Sequence, residues 1–224
     1  MNVAAVLLDM DGLMVDTEPL YKIAWQQAAF DLGYDLNDTR YAMIVGRPIE
    51  DCERIVVEQF GPAFPLDRLR EGRQAAWRRE VDRVGVHPKP GLHELLAFAT
   101  QHRLPVAVAT STTAAGAAFT LGRAGLADRF EVIVTGDQIT RGKPAPDIYL
   151  ECARRLGVAP EQCVGLEDSE AGIRSIASAG MVGILVPHWP ASEAARAAAF
   201  RVVDTLHEAR ELIASLHDPV PVTE

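Results

Sequence analysis

The chain has 224 residues, 48% of them hydrophobic and 24% charged, which is the composition of a folded globular protein and excludes a disordered or fibrous one. The formal net charge of -9 excludes a broad nucleic-acid-binding surface, so an anionic ligand would need a metal ion or a few placed cations. No apolar run approaches the roughly 20 residues of a membrane helix, and the apolar run at the N-terminus lacks the basic start of a signal peptide. We therefore expect a cytoplasmic protein that does not bind membranes. The sequence is silent on the oligomeric state, and a monomer is compatible with it.

Short apolar runs along the chain predict the strands of one sheet. They are residues 3–8, 106–110, 132–135, 163–166 and 182–186. Helix-like segments follow three of them, at 113–123, 146–156 and 169–179. Because each strand is apolar along its length and alternates with a helix, we predict an α/β fold with a doubly wound parallel sheet, a Rossmann-like core covered on both faces. In such folds ligands bind at the carboxyl ends of the strands.

A long insertion separates the first strand from the second. It lies within residues 9–104, which is far more chain than a parallel crossover requires. The insertion contains no strand-like run but four helical stretches, at 17–32, 38–45, 49–60 and 66–84. The segment VGVHPKPG, with two prolines and two glycines, then leads back to the sheet. We predict two domains: a Rossmann-like core of residues 1–16 and 85–224, and an inserted all-helical domain of residues 17–84.

Two carboxylates, Asp9 and Asp11, stand directly after the first strand in the sequence LLDMDG. Residues i and i+2 of an extended chain face the same side, so both can converge on one ligand at the strand end. A solvated Asp-Gly turn and the start of a calcium loop are the alternatives. An EF-hand loop, however, follows a helix and has its glycine at the sixth position, whereas Gly12 is at the fourth and a strand precedes it.

Three hydroxyl residues, Thr110, Ser111 and Thr112, lie at the end of the second strand and before a predicted helix. Hydroxyl groups together with the free backbone N–H groups of a helix start form an anion site. An ordinary helix N-cap is the alternative, and it is the commoner use of serine and threonine at such a position.

Lys143, in the sequence RGKPAPD, is one of three lysines in a chain that uses arginine for nearly all of its positive charge. A compact ammonium group suits a point charge on phosphate, and the prolines beside it indicate a fixed backbone. A solvated loop lysine is the alternative.

Glu167 and Asp168 again follow an apolar run directly, in the sequence GLEDSEAG. If they face Asp9 across a cleft at the strand ends, these carboxylates would be hard oxygen ligands for magnesium. The alternative for Asp168 is a cap on the helix that follows. All four groups of residues fall at strand ends or in the loops beside them, and this coincidence favours one shared site.

The segments DMDGLMVDTE, ATST, GKPAPD and GLEDSEAG, in this order, resemble the four motifs of the haloacid dehalogenase superfamily, and the resemblance spans most of the chain. It is closest to the branch with a helical cap inserted after the first strand, which includes sugar-phosphate phosphatases and beta-phosphoglucomutase. The resemblance implies a magnesium-dependent phosphatase that hydrolyses a small phosphorylated metabolite, such as a sugar phosphate, through an aspartyl-phosphate.

The resemblance also implies a role for each motif residue. Asp9 would attack phosphorus, and Asp11 would protonate the leaving oxygen and then deprotonate the attacking water. Lys143 would offset the charge beside Asp9. Thr110 would be the fourth catalytic residue. The expected phosphate-binding residues are Gly12, Thr110, Ser111 and Thr112, and the expected magnesium ligands are Asp9, the Asp11 backbone carbonyl, Asp168 and, directly or through water, Glu167.

Two residues of the inserted domain, Glu18 and Arg47, are predicted to contact the substrate from the cap side. The alternative for Glu18 is an acidic residue in the first turn of its helix, where negative charge is favoured. The alternative for Arg47 is a solvated side chain at a helix start.

The alternative function is a phosphomutase like beta-phosphoglucomutase, which transfers the phosphoryl group to a sugar hydroxyl instead of water. The mutase pattern has a histidine at the position of Tyr21 and an arginine at the position of Ile49. Both departures favour the phosphatase. A dehalogenase of the same superfamily would have no use for an acid at Asp11 or for magnesium.

Overall fold

The computed structural model describes residues 3–47 and 49–217, and the chain divides into two compact units. One unit combines Met1–Asp16 with His87–Glu224, and the other is Thr17–Val86. The predicted core domain also includes residues 1–2 and 218–224, and the predicted insertion includes Pro48; these residues lie outside the described ones. Within the two described ranges, no helix has the length and apolar character needed to cross a membrane.

The described residues form six strands, ten α-helices and two short 3-10 helices, Gly136–Gln138 and Pro160–Gln162. The strands are β1 (Ala5–Leu8), β2 (Val106–Thr110), β3 (Val132–Thr135), β4 (Cys163–Glu167), β5 (Val182–Leu185) and β6 (Arg201–Val202). The helices are α1 (Glu18–Asp31), α2 (Asp38–Tyr41), α3 (Ile49–Phe60), α4 (Leu66–Val84), α5 (Leu92–Gln101), α6 (Ala114–Arg123), α7 (Asp147–Leu156), α8 (Glu170–Ser178), α9 (Glu193–Ala198) and α10 (Leu206–His217).

The strands form one parallel sheet in the order β3-β2-β1-β4-β5-β6. The predicted α/β fold with a doubly wound parallel sheet is therefore confirmed. The chain runs outward from β1 through β2 to β3, and it then returns to the other side of β1 with β4. The direction of strand order thus reverses beside β1, and a sheet of this kind binds its ligands outside the carboxyl ends of the strands at this point.

Helix α8 packs closely on the sheet because two glycines lie beneath it. Gly165 in β4 and Gly183 in β5 are register partners on neighbouring strands. A Cβ atom at Gly165 would come within 2.6 Å of the Ile176 side chain, and one at Gly183 within 2.7 Å of the Ile173 side chain. Both isoleucines are completely buried. This packing fixes the start of α8 next to the carboxyl end of β4, where the second acidic pair lies.

The sequence predicts a surface helix in the stretch ASEAARAAAF, where α9 lies, but it did not predict three other elements of this unit: α5, α10 and β6. Helix α5 carries a clear helical signal, because its buried residues are spaced at i, i+3, i+4 and i+7. They are Leu92, Leu95, Leu96 and Ala99. Strand β6 has only two residues, which is too short for an alternation or an apolar run to be recognised.

The unit Thr17–Val86 contains α1 to α4 around a hydrophobic core of its own. Tyr34, Phe60 and Phe64 form an aromatic cluster with ring centroids 4.7 to 5.3 Å apart. The helix predicted at 38–45 is wrong in length, since α2 ends at Tyr41 and is followed by turns. The β-branched pair Ile44 and Val45, and then Gly46 with φ +72°, lower helix propensity beyond that first turn.

Candidate active site

Asp9 follows β1 directly and is buried at the carboxyl end of the strand. Its N–H group donates a hydrogen bond to the carbonyl of Leu166 in β4 at 3.1 Å, so strand-like pairing continues one residue beyond β1. The backbone that carries this carboxylate is therefore held by the sheet. Asp9 lies beside the reversal of strand order, the position at which such a sheet binds its ligand.

The ammonium group of Lys143 lies against the carboxylate of Asp9. Its Nζ donates to Asp9 Oδ1 at 2.5 Å, to Glu167 Oε1 at 2.6 Å and to the carbonyl of Ala109 at 2.9 Å. These three hydrogen bonds use all three donors of an ammonium group. The Lys143 side chain is only 6% exposed, so the alternative of a solvated loop lysine is excluded.

Burial and charge act together on this cluster. Burial is the largest influence on Asp9 and raises the pKa of its carboxyl group; the charge of Glu167 raises it further, and Lys143 opposes both. Burial opposes the charge of Lys143, but the carboxylates of Asp9 and Glu167 outweigh it and raise the pKa of the ammonium group above its usual value. Two buried carboxylates thus share one positive charge, which leaves an excess of negative charge at the strand ends.

Both carboxylate oxygens of Glu167 accept hydrogen bonds. Oε1 accepts from Lys143 and, at 2.9 Å, from the hydroxyl of Tyr149. Oε2 accepts from the N–H groups of Asp168 and Ser169 and from the Ser169 hydroxyl. The sequence did not single out Tyr149 or Ser169, and only their position beside the motifs could have indicated them. These bonds fix the Glu167 carboxylate in a buried position against Lys143.

The carboxylate of Asp168 does not cap α8. The cap is Ser169, whose Oγ accepts from the N–H group of Gly172 at 3.1 Å. Asp168 instead faces Gly12, which has φ +82° and lies so close that a Cβ atom there would overlap Asp168 Oδ2. Carboxylate oxygens of Asp9, Glu167 and Asp168, one from each residue, all lie within 4.8 Å of one another. The three residues therefore form an acidic group of the size that one metal ion requires.

The hydroxyl residues after β2 have three different environments. Thr110 is buried, and its Oγ1 accepts from the N–H group of Thr112 at 3.1 Å. Ser111 is exposed. The Thr112 hydroxyl donates to Asp11 Oδ2 at 2.9 Å, which the predicted phosphate-binding role did not anticipate. Thr113 provides the N-cap of α6, so the helix-cap alternative is excluded for the three residues before it.

Glu18 and Arg47 both belong to the unit Thr17–Val86. Glu18 lies in the first turn of α1, and Arg47 is exposed in the segment before α3. These positions agree with the alternatives considered for each residue, and their roles toward a substrate stay predictions.

The parallel sheet and the acidic site at its carboxyl edge define an α/β enzyme, and comparison with known proteins identifies the family. Residues 3–180 match the model of the haloacid dehalogenase-like hydrolases. The chain belongs to this family, as its four motifs had indicated.

Relatives and solved structures agree with this assignment. The chain is 36% identical over 177 residues to a phosphorylated carbohydrates phosphatase of Thermotoga maritima, an alignment that covers 79% of this chain and 82% of the relative. It is 34% identical over 183 residues to the fructose-1-phosphate phosphatase YqaB of Escherichia coli, with 80% and 93% covered. The crystal structure of a candidate beta-phosphoglucomutase from Thermotoga maritima superimposes with a TM-score of 0.81 at 32% identity, over 96% of this chain and all of that one. The family and its phosphatase members make this chain a phosphatase.

Proposed function

We propose that this phosphatase hydrolyses the phosphate monoester of a small metabolite, a sugar phosphate or a similar compound, through an aspartyl-phosphate on Asp9. The observation that carries the proposal is the buried contact between Lys143 and Asp9 Oδ1 at the edge of the sheet where ligands bind. A nucleophilic carboxylate must be ionised. Burial disfavours that form here, and the adjacent ammonium group favours it.

In the first half-reaction a carboxylate oxygen of Asp9 attacks phosphorus, and the bond between phosphorus and the leaving oxygen breaks. Asp11 gives its proton to that leaving oxygen, so the metabolite departs as a neutral alcohol. Thr110 and the N–H group of Ser111 are the proposed donors to the phosphoryl oxygens. Lys143 stabilises the negative charge that gathers beside Asp9.

In the second half-reaction water attacks the phosphoryl group on Asp9. Asp11, now ionised, accepts a proton from the water, and the bond between phosphorus and the Asp9 oxygen breaks to release inorganic phosphate. Asp9 and Asp11 return to their starting forms. One aspartate therefore carries the phosphoryl group while its neighbour two residues later moves the proton.

The acidic group fits a magnesium ion. Its carboxylate oxygens lie within 4.8 Å of one another, and hard oxygen atoms are the ligands that magnesium prefers. The excess of negative charge at the site also favours a divalent cation. We propose Asp9, Asp168 and the backbone carbonyl of Asp11 as the ligands. Glu167 would act through water or by holding Lys143, because both of its oxygens already accept hydrogen bonds. Magnesium would offset the negative charge of the phosphate as it meets the carboxylate of Asp9.

The helical unit Thr17–Val86 is the proposed cap, and we propose that it selects the leaving group through Glu18 and Arg47. This assignment is tested by Arg47→Ala, which should raise KM for a sugar phosphate. The KM for a monoester with a small leaving group, such as methyl phosphate, should change less.

The function is tested by incubating the purified enzyme with a panel of sugar phosphates and other small monoesters, with magnesium and with excess chelator. We expect steady release of inorganic phosphate that requires magnesium and does not depend on added bisphosphate. A peptide containing Asp9 should gain one phosphoryl group in enzyme quenched during turnover. Full activity in excess chelator would contradict the magnesium assignment.

One observation supports the phosphomutase alternative, namely the structural match to a candidate beta-phosphoglucomutase. It makes a different prediction for the same assay. If beta-glucose 1-phosphate were converted to glucose 6-phosphate faster than any tested monoester is hydrolysed, and a trace of bisphosphate accelerated the conversion, the mutase would be the correct assignment.

A further inference from the structure

The hydroxyl group of Thr112 donates to Oδ2 of Asp11 at 2.9 Å, across 101 positions of the sequence. We infer that Thr112 is a positioning residue that holds the Asp11 carboxyl group in the orientation needed to deliver its proton to the leaving oxygen. The inference rests on the proposed role of Asp11, and it differs from the phosphate-binding role predicted for Thr112, which stays a prediction.

The conformation of Thr112 is itself fixed by its neighbours. Its N–H group donates to Thr110 Oγ1 at 3.1 Å, and its carbonyl accepts from the N–H group of Gly136 at 3.1 Å. Its methyl group lies against Gly116 in α6, where a Cβ atom would come within 2.6 Å of Thr112 Cγ2. A β-branched side chain with its methyl group confined in this way has one favoured χ1 rotamer, and that rotamer directs the hydroxyl toward Asp11.

The neighbouring hydroxyl has a separate structural task. Thr113 caps α6 by accepting a hydrogen bond from the N–H group of Gly116 at 3.4 Å. The helix therefore does not need the hydroxyl of Thr112. Thr112 and Thr113 are adjacent threonines of which one contacts the proposed acid and the other caps a helix, so they form a matched pair for mutation.

Orientation is the property that this contact controls. General acid catalysis requires the proton donor to lie within hydrogen-bond reach of the leaving oxygen, and small displacements of a catalytic group are costly. With Oδ2 held by Thr112, the plane of the Asp11 carboxyl group is restrained. Without it, the group can rotate and the proton is delivered less often in the productive direction.

The test compares two substrates that differ in their need for an acid. A sugar phosphate has a poor leaving group that must be protonated, whereas p-nitrophenyl phosphate releases a stable phenolate ion. In Thr112→Val we expect kcat/KM for the sugar phosphate to fall by about 10- to 100-fold and kcat/KM for p-nitrophenyl phosphate to fall by no more than about threefold. Thr112→Ser keeps the hydroxyl and should retain most of the activity on both. Thr113→Val should lower the melting temperature and leave the ratio of the two values unchanged.

A second variant perturbs Thr112 without changing it. Gly116→Ala places a methyl group against Thr112 Cγ2 and should shift the hydroxyl away from Asp11, although alanine at this helical position is otherwise favourable. We expect Gly116→Ala to reproduce the selective loss on the sugar phosphate. The double variant Thr112→Ser/Gly116→Ala lacks the clashing methyl group and should recover most of the lost activity.

The outcomes separate this inference from the proposed function. If Thr112→Val left the ratio of kcat/KM for the sugar phosphate to kcat/KM for p-nitrophenyl phosphate unchanged, the positioning role of Thr112 would be overturned. An Asp11→Asn variant that still hydrolyses the sugar phosphate at the wild-type rate would instead remove the proton-transfer role of Asp11. In that case Thr112→Val would also have no selective effect.

Discussion

The backbone of Gly12 packs directly against the carboxylate of Asp168, and a single Cβ atom at this glycine would overlap Asp168 Oδ2. Gly12 also has φ +82°, a conformation that side chains other than glycine rarely adopt. Because Gly12 has no side chain, it leaves the space that the Asp168 carboxylate, at the end of another strand, occupies. The two halves of the acidic group can approach each other because this position lacks a side chain.

Gly12→Ala should inactivate the enzyme by displacing Asp168. We expect phosphate release to fall by more than about tenfold and the magnesium concentration for half-maximal activity to rise, since one hard ligand is moved. Activity is measured across a magnesium titration, and magnesium binding is followed independently as the rise in melting temperature on adding the ion.

Gly33→Ala is the matched control for backbone strain. Gly33 has nearly the same φ, +84°, but a Cβ atom there would meet no atom of the described residues within 4 Å. Both substitutions should cost about 1–2 kcal/mol of stability from the left-handed backbone conformation. If Gly33→Ala and Gly12→Ala lowered activity equally, strain alone would explain the loss and the contact with Asp168 would be irrelevant.

Asp9→Asn should abolish phosphate release and leave the fold intact. The amide is nearly isosteric with the carboxylate but is a poor nucleophile, and the loss of a covalent step should reduce turnover by far more than the tenfold that corresponds to about 1.4 kcal/mol. Thermal unfolding checks the fold, and the peptide containing residue 9 should gain no phosphoryl group when the variant is quenched in the presence of substrate. Turnover within about tenfold of wild type would remove Asp9 as the nucleophile.

The acidic and hydroxyl motifs could be predicted because their signal is local. A polar group directly after an apolar strand is visible in a few consecutive residues, and parallel strands bring their carboxyl ends to one edge. Asp9, Thr110 and Glu167 lie at the ends of β1, β2 and β4, which are adjacent in the sheet. Their convergence therefore follows from the strand order.

The individual contacts within the site could not be predicted from the sequence. Glu167 receives hydrogen bonds from residues as far as 24 positions away, and Thr112 contacts a carboxylate 101 positions away. Which of three consecutive hydroxyl residues turns toward Asp11 depends on a side-chain rotamer and on the close approach of Gly116. These quantities are set by packing between elements, and no pattern in the sequence expresses them.

Lys143→Met should destabilise the protein most at neutral pH. Removing the ammonium group leaves buried carboxylates without their partner, a change that typically costs about 3–5 kcal/mol. The pKa of Asp9 is already raised by burial, and loss of the opposing charge of Lys143 raises it further. The pKa of Asp9 is higher in the folded protein than in the unfolded chain. At pH values between the two, the folded state binds more protons, so the free energy of unfolding falls as pH rises through this range. The deficit relative to wild type should therefore shrink when unfolding is measured at about pH 5.5 instead of about pH 7.5, with chelator present throughout.

Lys22→Met provides the control for removing a lysine from an ion pair. Lys22 lies 2.8 Å from Asp38, but its side chain is 39% exposed and that of Asp38 is 76% exposed. Solvent screens an exposed pair of this kind, so this variant should unfold almost like wild type. A deficit in Lys143→Met that is small at neutral pH, or that grows toward acid pH, would contradict the buried charge cluster.

Gly172→Ala should impair catalysis although it lies in a helix, where alanine is normally the better residue. Gly172 is in the first turn of α8, and a Cβ atom there would overlap the carboxylate of Glu167. Glu167 cannot move freely, because Lys143, Tyr149 and Ser169 donate to it from several directions. The added methyl group must therefore displace either the carboxylate or the start of the helix.

We expect Gly172→Ala to lower kcat by more than about tenfold, since a misplaced Glu167 no longer holds the ammonium group of Lys143 beside Asp9. Gly122→Ala in α6 is the matched control, because within the part of the chain that the structure describes a Cβ atom there would have no neighbour within 4 Å. At Gly122 alanine should raise stability by about 0.5–1 kcal/mol and leave kcat unchanged. Both variants are compared by thermal unfolding and by steady-state kinetics on the best monoester of the panel. The contrary result is a Gly172→Ala variant that is stabilised like Gly122→Ala and keeps its kcat. Glu167 could then be displaced without loss of activity, and the contacts from Glu167 through Lys143 to Asp9 would not be needed for catalysis.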